Sequence, residues 1–226
     1  MAEVKMAWDR QPDDRQWKGP EGEDPRTLYQ MLMTSVERFG NEPCFGYIPG
    51  EGMARVHINY NEFGELSTSV AKRLNDLGVK AGDRVAIILD NSVQWAALSY
   101  GANAIGAAYT AMYTHQHGSE WAYILGDSTP SIIAVANTAV LDKLVDNLPS
   151  EASAWPECGV ILLGDEPANK IPPKGIEVHM WSDFVAQGRA SENDFEIADD
   201  PFALNTLIYT SGTTGNPKGV MLTNWN

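Results

Sequence analysis

The run Tyr209-Thr-Ser-Gly-Thr-Thr-Gly-Asn-Pro-Lys-Gly219 combines, without interruption, what a polyphosphate needs from a protein. Gly212 and Gly215 can adopt backbone angles closed to other residues, so the main chain can turn tightly and aim successive N–H groups into one anion-binding concavity. No side chain at those positions blocks the anion. Thr210, Ser211, Thr213 and Thr214 add hydroxyl donors, while Lys218 adds a compact positive charge with three donors. Pro217 stiffens the chain just before that lysine. The chemistry these residue types point to is use of ATP, held by its phosphates.

The commonest nucleotide loop, G-x-x-x-x-G-K-[ST], does not fit. Counted from Gly212, its second glycine falls on Pro217, and the residue after Lys218 is Gly219 rather than Ser or Thr. No G-x-G-x-x-G dinucleotide fingerprint follows an expected strand elsewhere. Gly, Ser, Thr, Asn and Pro are also ordinary surface-loop residues, but a run of this length with a lysine at its end favours the phosphate reading over the bland one.

The segment resembles the phosphate-binding signature of the AMP-forming adenylate synthetases, the superfamily of acyl-CoA synthetases, peptide-synthetase adenylation domains and luciferases. The likeness includes Leu207 and Ile208 before the run and Val220, Met221, Leu222 and Thr223 after it. Weaker likeness extends upstream through Ile58-Asn-Tyr-Asn-Glu-Phe63, Gly82-Asp-Arg-Val-Ala-Ile87 and the stretch from Trp95 to Tyr113 with Gly106 and Tyr109. Within the superfamily, Ala108-Tyr-Thr-Ala-Met-Tyr-Thr114 followed by Gly118-Ser-Glu-Trp-Ala-Tyr-Ile-Leu125 is most similar to long-chain fatty acyl-CoA synthetases.

That resemblance implies a two-step reaction on a small-molecule carboxylic acid. Its carboxylate attacks the α-phosphate of ATP to give an acyl-adenylate and pyrophosphate, and the thiol of coenzyme A then takes the acyl group. The loop, with Thr210, Ser211, Gly212, Thr213, Thr214, Gly215 and Lys218, is the expected nucleotide site, with Mg²⁺ sharing the phosphate charge. No catalytic residue and no metal ligand is assigned, because the family's later motifs have no counterpart here. The chain is accordingly expected to be a fragment, the first part of a large N-terminal adenylate-forming domain ending just after the loop, and unable by itself to complete acyl-CoA synthesis. The alternative is a non-catalytic truncated or split product that binds nucleotide weakly or associates with a partner. A departure lies at Thr223-Asn-Trp-Asn226, where the family usually has Thr-His-x-Asn. Asn224 can hydrogen-bond but cannot titrate near neutral pH, which puts any acid–base or ring-stacking role there in doubt.

The elements that must carry the loop follow from hydrophobic period. Residues 1–25, with Trp8 and Trp17 among polar residues, read as an N-terminal arm. Asp24 and Pro25 then suit the cap and first turn of a helix whose Leu28, Met31, Leu32, Val36 and Phe39 share one face as far as Gly40. Strand-like runs at 44–48 and 55–60, separated by Pro-Gly-Glu-Gly, predict a β-hairpin. A second helix is expected with Asn61 as cap, a stripe of Phe63, Leu66, Val70, Leu74 and Leu77, and Gly78 as left-handed stop. From Arg84 onward strands (85–89, 107–113, 131–136, 160–163) alternate with helices (92–105, from 119, 139–148). Residues 150–200, punctuated by Pro156, Pro167, Pro172 and Pro173, read as surface connection. An apolar strand at 203–209 then leads directly into the loop. The expected fold is α/β: a mostly parallel sheet with helices on both faces and a small hairpin set apart. Residues 26–226 form its one body. Ligands collect at the carboxyl ends of strands in such sheets.

Composition agrees with an ordinary folded domain: 226 residues, 43% hydrophobic and 20% charged. A formal net charge of −14 opposes non-specific attraction to nucleic acid. No apolar run is long enough for a membrane span and Met1 to Pro25 lacks the pattern of an export signal. A cytoplasmic location is expected, with peripheral association with an intracellular membrane left open. Cys44 and Cys158 lack metal or redox spacing and read as unpaired thiols. His115 and His117 are two residues apart but lack a third ligand, so loop polarity explains them better than zinc. His57 and His179 read as ordinary strand positions.

Overall fold

A computed structural model describes residues 26–48, 52–164, 166, 168–210 and 216–226. The expected arm at 1–25, with its Asp24–Pro25 cap, and the loop residues Ser211, Gly212, Thr213, Thr214 and Gly215 lie outside the described residues.

The first helix, α1 (Leu28–Phe39), is capped by Thr27 in a capping box: the Thr27 hydroxyl accepts from the Gln30 amide and the Gln30 side chain accepts from the Thr27 amide. The buried face differs from the expected stripe. Tyr29 and Leu32 are buried, whereas Met31 and Phe39 are 54% and 49% exposed. Tyr29 can enter the core because its phenol pairs with the Thr68 hydroxyl at 2.8 Å, a partner no helical period reveals.

Strands β1 (Pro43–Tyr47) and β2 (Val56–Asn59) form the expected antiparallel hairpin as a separate two-stranded sheet. Helix α2 (Tyr60–Asp76) starts two residues earlier than a cap at Asn61 would put it. Asn59 accepts from the Glu62 amide at 2.9 Å while Glu62 accepts from the Asn59 amide at 2.7 Å, a reciprocal pair that needs the acid three residues beyond the cap. Gly78 closes the helix with φ of +95°, as a left-handed stop requires. Phe63, Val70 and Leu74 of the stripe are buried.

The main sheet has seven strands in the order β7-β6-β5-β3-β4-β8-β9. These are β3 (Arg84–Ile88), β4 (Ala108–Met112), β5 (Ile132–Val135), β6 (Val160–Leu162), β7 (Val178–Met180), β8 (Leu204–Thr210) and β9 (Lys218–Thr223). Each neighbouring pair is parallel except β8 with β9. Helices α3 (Val93–Ala104), α4 (Gly118–Ser128), α5 (Thr138–Asn147) and α6 (Trp181–Ala190) complete the fold. Both faces of the sheet are covered. Along β3, Val85 and Ile87 enter a core built with α1, α2, α3 and α6, while Ala86 and Ile88 enter a second core built with α4 and α5. This alternation explains why the strand sequence reads as one apolar run.

Residues 150–200 are more than surface connection. They contain β7 and α6, with Phe184 buried against the first core and Gly188 against α2. A Cβ on Gly188 would stand 2.0 Å from the Ser69 carbonyl oxygen, so the two helices meet through the space that glycine leaves. A three-residue strand and a helix that packs through a missing side chain leave little hydrophobic period to read. Both cysteines are free; the buried Cys158 thiol donates to the Leu77 carbonyl.

Candidate nucleotide-binding hairpin

Strand β8 lies beside β4 only at its beginning, with Tyr109↔Thr206 and Thr110↔Leu207 in register. Its last three residues pair with β9 alone, as Ile208↔Val220, Tyr209↔Gly219 and Thr210↔Lys218. The glycine-rich run is therefore the connection of an antiparallel ribbon, not a strand-to-helix turn. This accounts physically for the failed match to the commoner loop, whose helix N-terminus supplies the anion site.

Residues directly opposite in an antiparallel pair share a face, and the face alternates along each strand. Thr210 and Lys218 are opposite one another and both exposed, so a hydroxyl and an ammonium stand side by side at the mouth of the connection. Ile208 and Val220, the next pair on that face, are 45% and 44% exposed. Tyr209 points the other way. Its ring joins the second core beside α4, and its hydroxyl donates to Asp127 Oδ2 at 2.6 Å. Burial, followed by the hydrogen bond and negative charge of Asp127, pushes the Tyr209 phenol well above its ordinary pKa. Gly219, opposite Tyr209, has no left-handed φ. A Cβ there would come 3.1 Å from Tyr209 Cζ.

The ribbon is tied to the body from several directions. Asn205 accepts from Asn103 Nδ2 at 2.9 Å, and Asn103 Oδ1 accepts from the Tyr29 amide at 3.1 Å, a buried chain joining β8, α3 and the start of α1. The Thr206 hydroxyl donates to the Tyr109 carbonyl at 3.0 Å. Asn224, just past β9, accepts from the Leu28 amide at 2.9 Å. Its amide oxygen thus satisfies a first-turn N–H of α1 that the helix itself leaves unpaired. The Phe202 and Trp225 rings lie 5.1 Å apart, closing the ribbon's outer end.

Of the expected site residues, Thr210 and Lys218 are brought together, and the other five lie outside the described residues. Asp127, Asn103, Asn205 and Asn224 were not assigned from the sequence as supports of the loop. Asn103 shares α3 with the polar residues Gln94 and Ser99, so its place in the sequence does not single it out. Asp127 had no signal that points to its partner, since Tyr209 lies 82 positions away in sequence. His115 and His117 lie in the connection after β4, with His117 at the start of α4 making no side-chain cap. Among the described residues, no group of three His, Cys, Asp or Glu side chains converges as a metal site. Among them, too, no helix is long and apolar enough to cross a membrane.

A family model for the AMP-binding enzyme matches residues 32–226. The chain belongs to this family. Among curated proteins it is 30% identical over 209 residues to the long-chain-fatty-acid–CoA ligase ACSBG1 of Bos taurus, covering 89% of this chain and 27% of that protein. It is 30% identical over 213 residues to the human long-chain-fatty-acid–CoA ligase ACSBG2, covering 92% of this chain and 30% of that one. A chloroplastic long-chain-fatty-acid–[acyl-carrier-protein] ligase, AEE15 of Arabidopsis thaliana, is 30% identical over 184 residues, or 76% of this chain and 25% of its own length. The chain thus spans less than a third of the length of these relatives. Among solved structures, the adenylation domain of a carboxylate reductase from Mycobacterium chelonae superposes with a TM-score of 0.72 at 23% identity, over 90% of this chain and 35% of that one. The anthranilate CoA ligase AuaEII, solved with anthranoyl-AMP, superposes with a TM-score of 0.70 at 20% identity, over 90% and 36%. These likenesses show that the chain shares its α/β fold, a mostly parallel sheet flanked by helices, with part of each of those chains.

Proposed function

We propose that the β8–β9 ribbon holds the phosphates of ATP for activation of a carboxylic acid, and that the acid is a long-chain fatty acid destined for a thioester with coenzyme A. The observation that carries the reading is the placement of Thr210 and Lys218 side by side at the mouth of the run Ser211–Pro217. Hydroxyl and ammonium are both donors to phosphate oxygen, and Lys218 is a local cation on a chain of net charge −14. Family membership supports the adenylation chemistry. The fatty acid and the CoA acceptor rest on the names of the curated relatives.

The first step forms a bond between a carboxylate oxygen and the α-phosphorus and breaks the bond to the pyrophosphate leaving group. All three groups are negative, so positioning and preorganised positive potential are the levers available. Lys218 and the hydroxyl-rich run would offset charge at the β- and γ-phosphates. Mg²⁺ would share that charge; among the described residues no group of acidic side chains converges to hold it. In the second step the coenzyme A sulfur attacks the acyl carbon and AMP leaves.

Isothermal titration of the chain with ATP tests the reading. Binding that weakens about tenfold or more in Lys218→Ala, with the thermal transition unchanged, is expected from loss of a charge-assisted contact. Absence of binding, or equal affinity in Lys218→Ala, would remove the assignment. Carboxylate-dependent ATP–pyrophosphate exchange by the whole gene product tests the chemistry, with fatty acids ranked by chain length.

A further inference from the structure

Beyond Leu207 the strand that leads into the glycine-rich run has left β4, and its last residues have only β9 beside them. A two-stranded ribbon twists and swings more freely than a strand inside a sheet. Something must therefore set the angle at which Thr210 and Lys218 are presented. The side chain next to both is Tyr209, opposite Gly219 and one residue before Thr210. Its ring crosses the ribbon face opposite the one that carries Thr210 and Lys218, and its hydroxyl reaches Asp127, in the last turn of α4 and 82 positions away in sequence. The crossing is tight at Gly219: a Cβ there would lie 3.1 Å from Cζ, 3.3 Å from the hydroxyl oxygen and 3.4 Å from Cε1, so the ring would have to give by a few tenths of an ångström. Since Gly219 takes no left-handed φ, what it provides is space rather than conformational freedom.

We propose that Asp127 is a positioning residue for the polyphosphate site, acting through Tyr209 and the gap at Gly219 to lock the β8–β9 ribbon onto α4. The proposal rests on the reading that this ribbon binds the phosphates of ATP. Asp127 touches no substrate; it holds the phenol, the phenol holds the ribbon, and the ribbon presents the donors. The last glycine of the run then has a packing task separate from the one expected of Gly212 and Gly215. A carboxylate acceptor is suited to the task because a hydrogen bond to a charged group keeps more of its strength beside solvent than a neutral one does.

The test is titration with inorganic pyrophosphate and with ATP of the wild-type chain and of Asp127→Ala, Tyr209→Phe, the double variant, Asp127→Asn and Gly219→Ala, each checked for an intact thermal transition. Asp127→Ala and Tyr209→Phe are each expected to weaken both ligands about threefold to tenfold. The double variant should be no weaker than the worse single, because the two residues act as one contact. Asp127→Asn keeps an acceptor oxygen and should stay within about twofold of wild type, whereas Gly219→Ala should reproduce the loss by displacing the ring. Unchanged affinity in the single variants, or losses that add in the double variant, would overturn the proposal. Should wild type bind and Lys218→Ala fail while Asp127→Ala binds normally, the latch alone falls; should wild type bind neither ligand, the phosphate reading falls and takes the latch with it.

Discussion

The centre of the sheet and its β8–β9 edge are built to opposite rules. In β3 and β5, every residue from Val85 to Ile88 and from Ile132 to Val135 is buried, with helices on both faces. In the ribbon, one face packs through Tyr209 onto α4 while the other exposes Ile208, Thr210, Lys218 and Val220. The centre holds the fold and the edge offers the donors. Binding elements come from the less stabilised end of a structure because they must reach a ligand and respond to it. Here the few side-chain hydrogen bonds at the ribbon replace the packing it lacks.

This contrast breaks most visibly through stability. Leu74→Ala, at a fully buried position under the first core, should cost about 2–5 kcal/mol in urea unfolding. Ile208→Thr and Val220→Thr on the exposed ribbon face should each stay within about 0.5 kcal/mol. Equal costs at the two places would mean that the ribbon is as much a part of the core as β3. Gly188→Ala forces a methyl against the Ser69 carbonyl and should cost about 1–3 kcal/mol, read as a lowered thermal midpoint. A neutral outcome would show that α6 can slide on α2.

A smaller effect is expected at the ribbon's outer tie. Asn224→Ala removes the acceptor for the Leu28 amide and should cost about 1 kcal/mol, the ordinary value of a lost helix cap, while Asn224→Asp should retain it. If both variants melt alike, the contact contributes nothing. The smallest effect concerns alkaline pH. Because the folded Tyr209 phenol titrates above its ordinary value of 10.0, through burial and then Asp127, its contribution is complete at neutral pH. It fades as pH rises past the unfolded value towards the folded one. Wild type should thus lose its stability advantage over Tyr209→Phe on moving from neutral to strongly alkaline buffer, and an advantage constant with pH would contradict the assigned partner.

Legibility in the sequence followed the same division. The central strands and the stripe of α2 were readable because burial on both faces, or on one helical face, imposes a period on residue type. The Thr27–Gln30 capping box that opens α1 went unread because its strength lies in a reciprocal geometry rather than in residue type alone. Strand β7 and helix α6 went unread because three residues carry no period and because Gly188 packs by absence. The glycine-rich run announced itself through composition, yet its hairpin setting did not, since β9 is polar at one end and half-exposed at the other. The residues that aim it could not be found locally: Asp127, Asn103 and Asn224 come from α4, α3 and the turn beyond β9, and only the fold brings them to one ribbon.

Hydrogen exchange with and without ATP, read by peptide, addresses the edge-versus-centre account directly. Slowed exchange is expected in peptides spanning residues 205–224, little change in those of β3 and β5, and loss of the ATP effect in Lys218→Ala. Protection centred elsewhere, or identical protection in Lys218→Ala, would contradict the claim that this ribbon holds the nucleotide's phosphates.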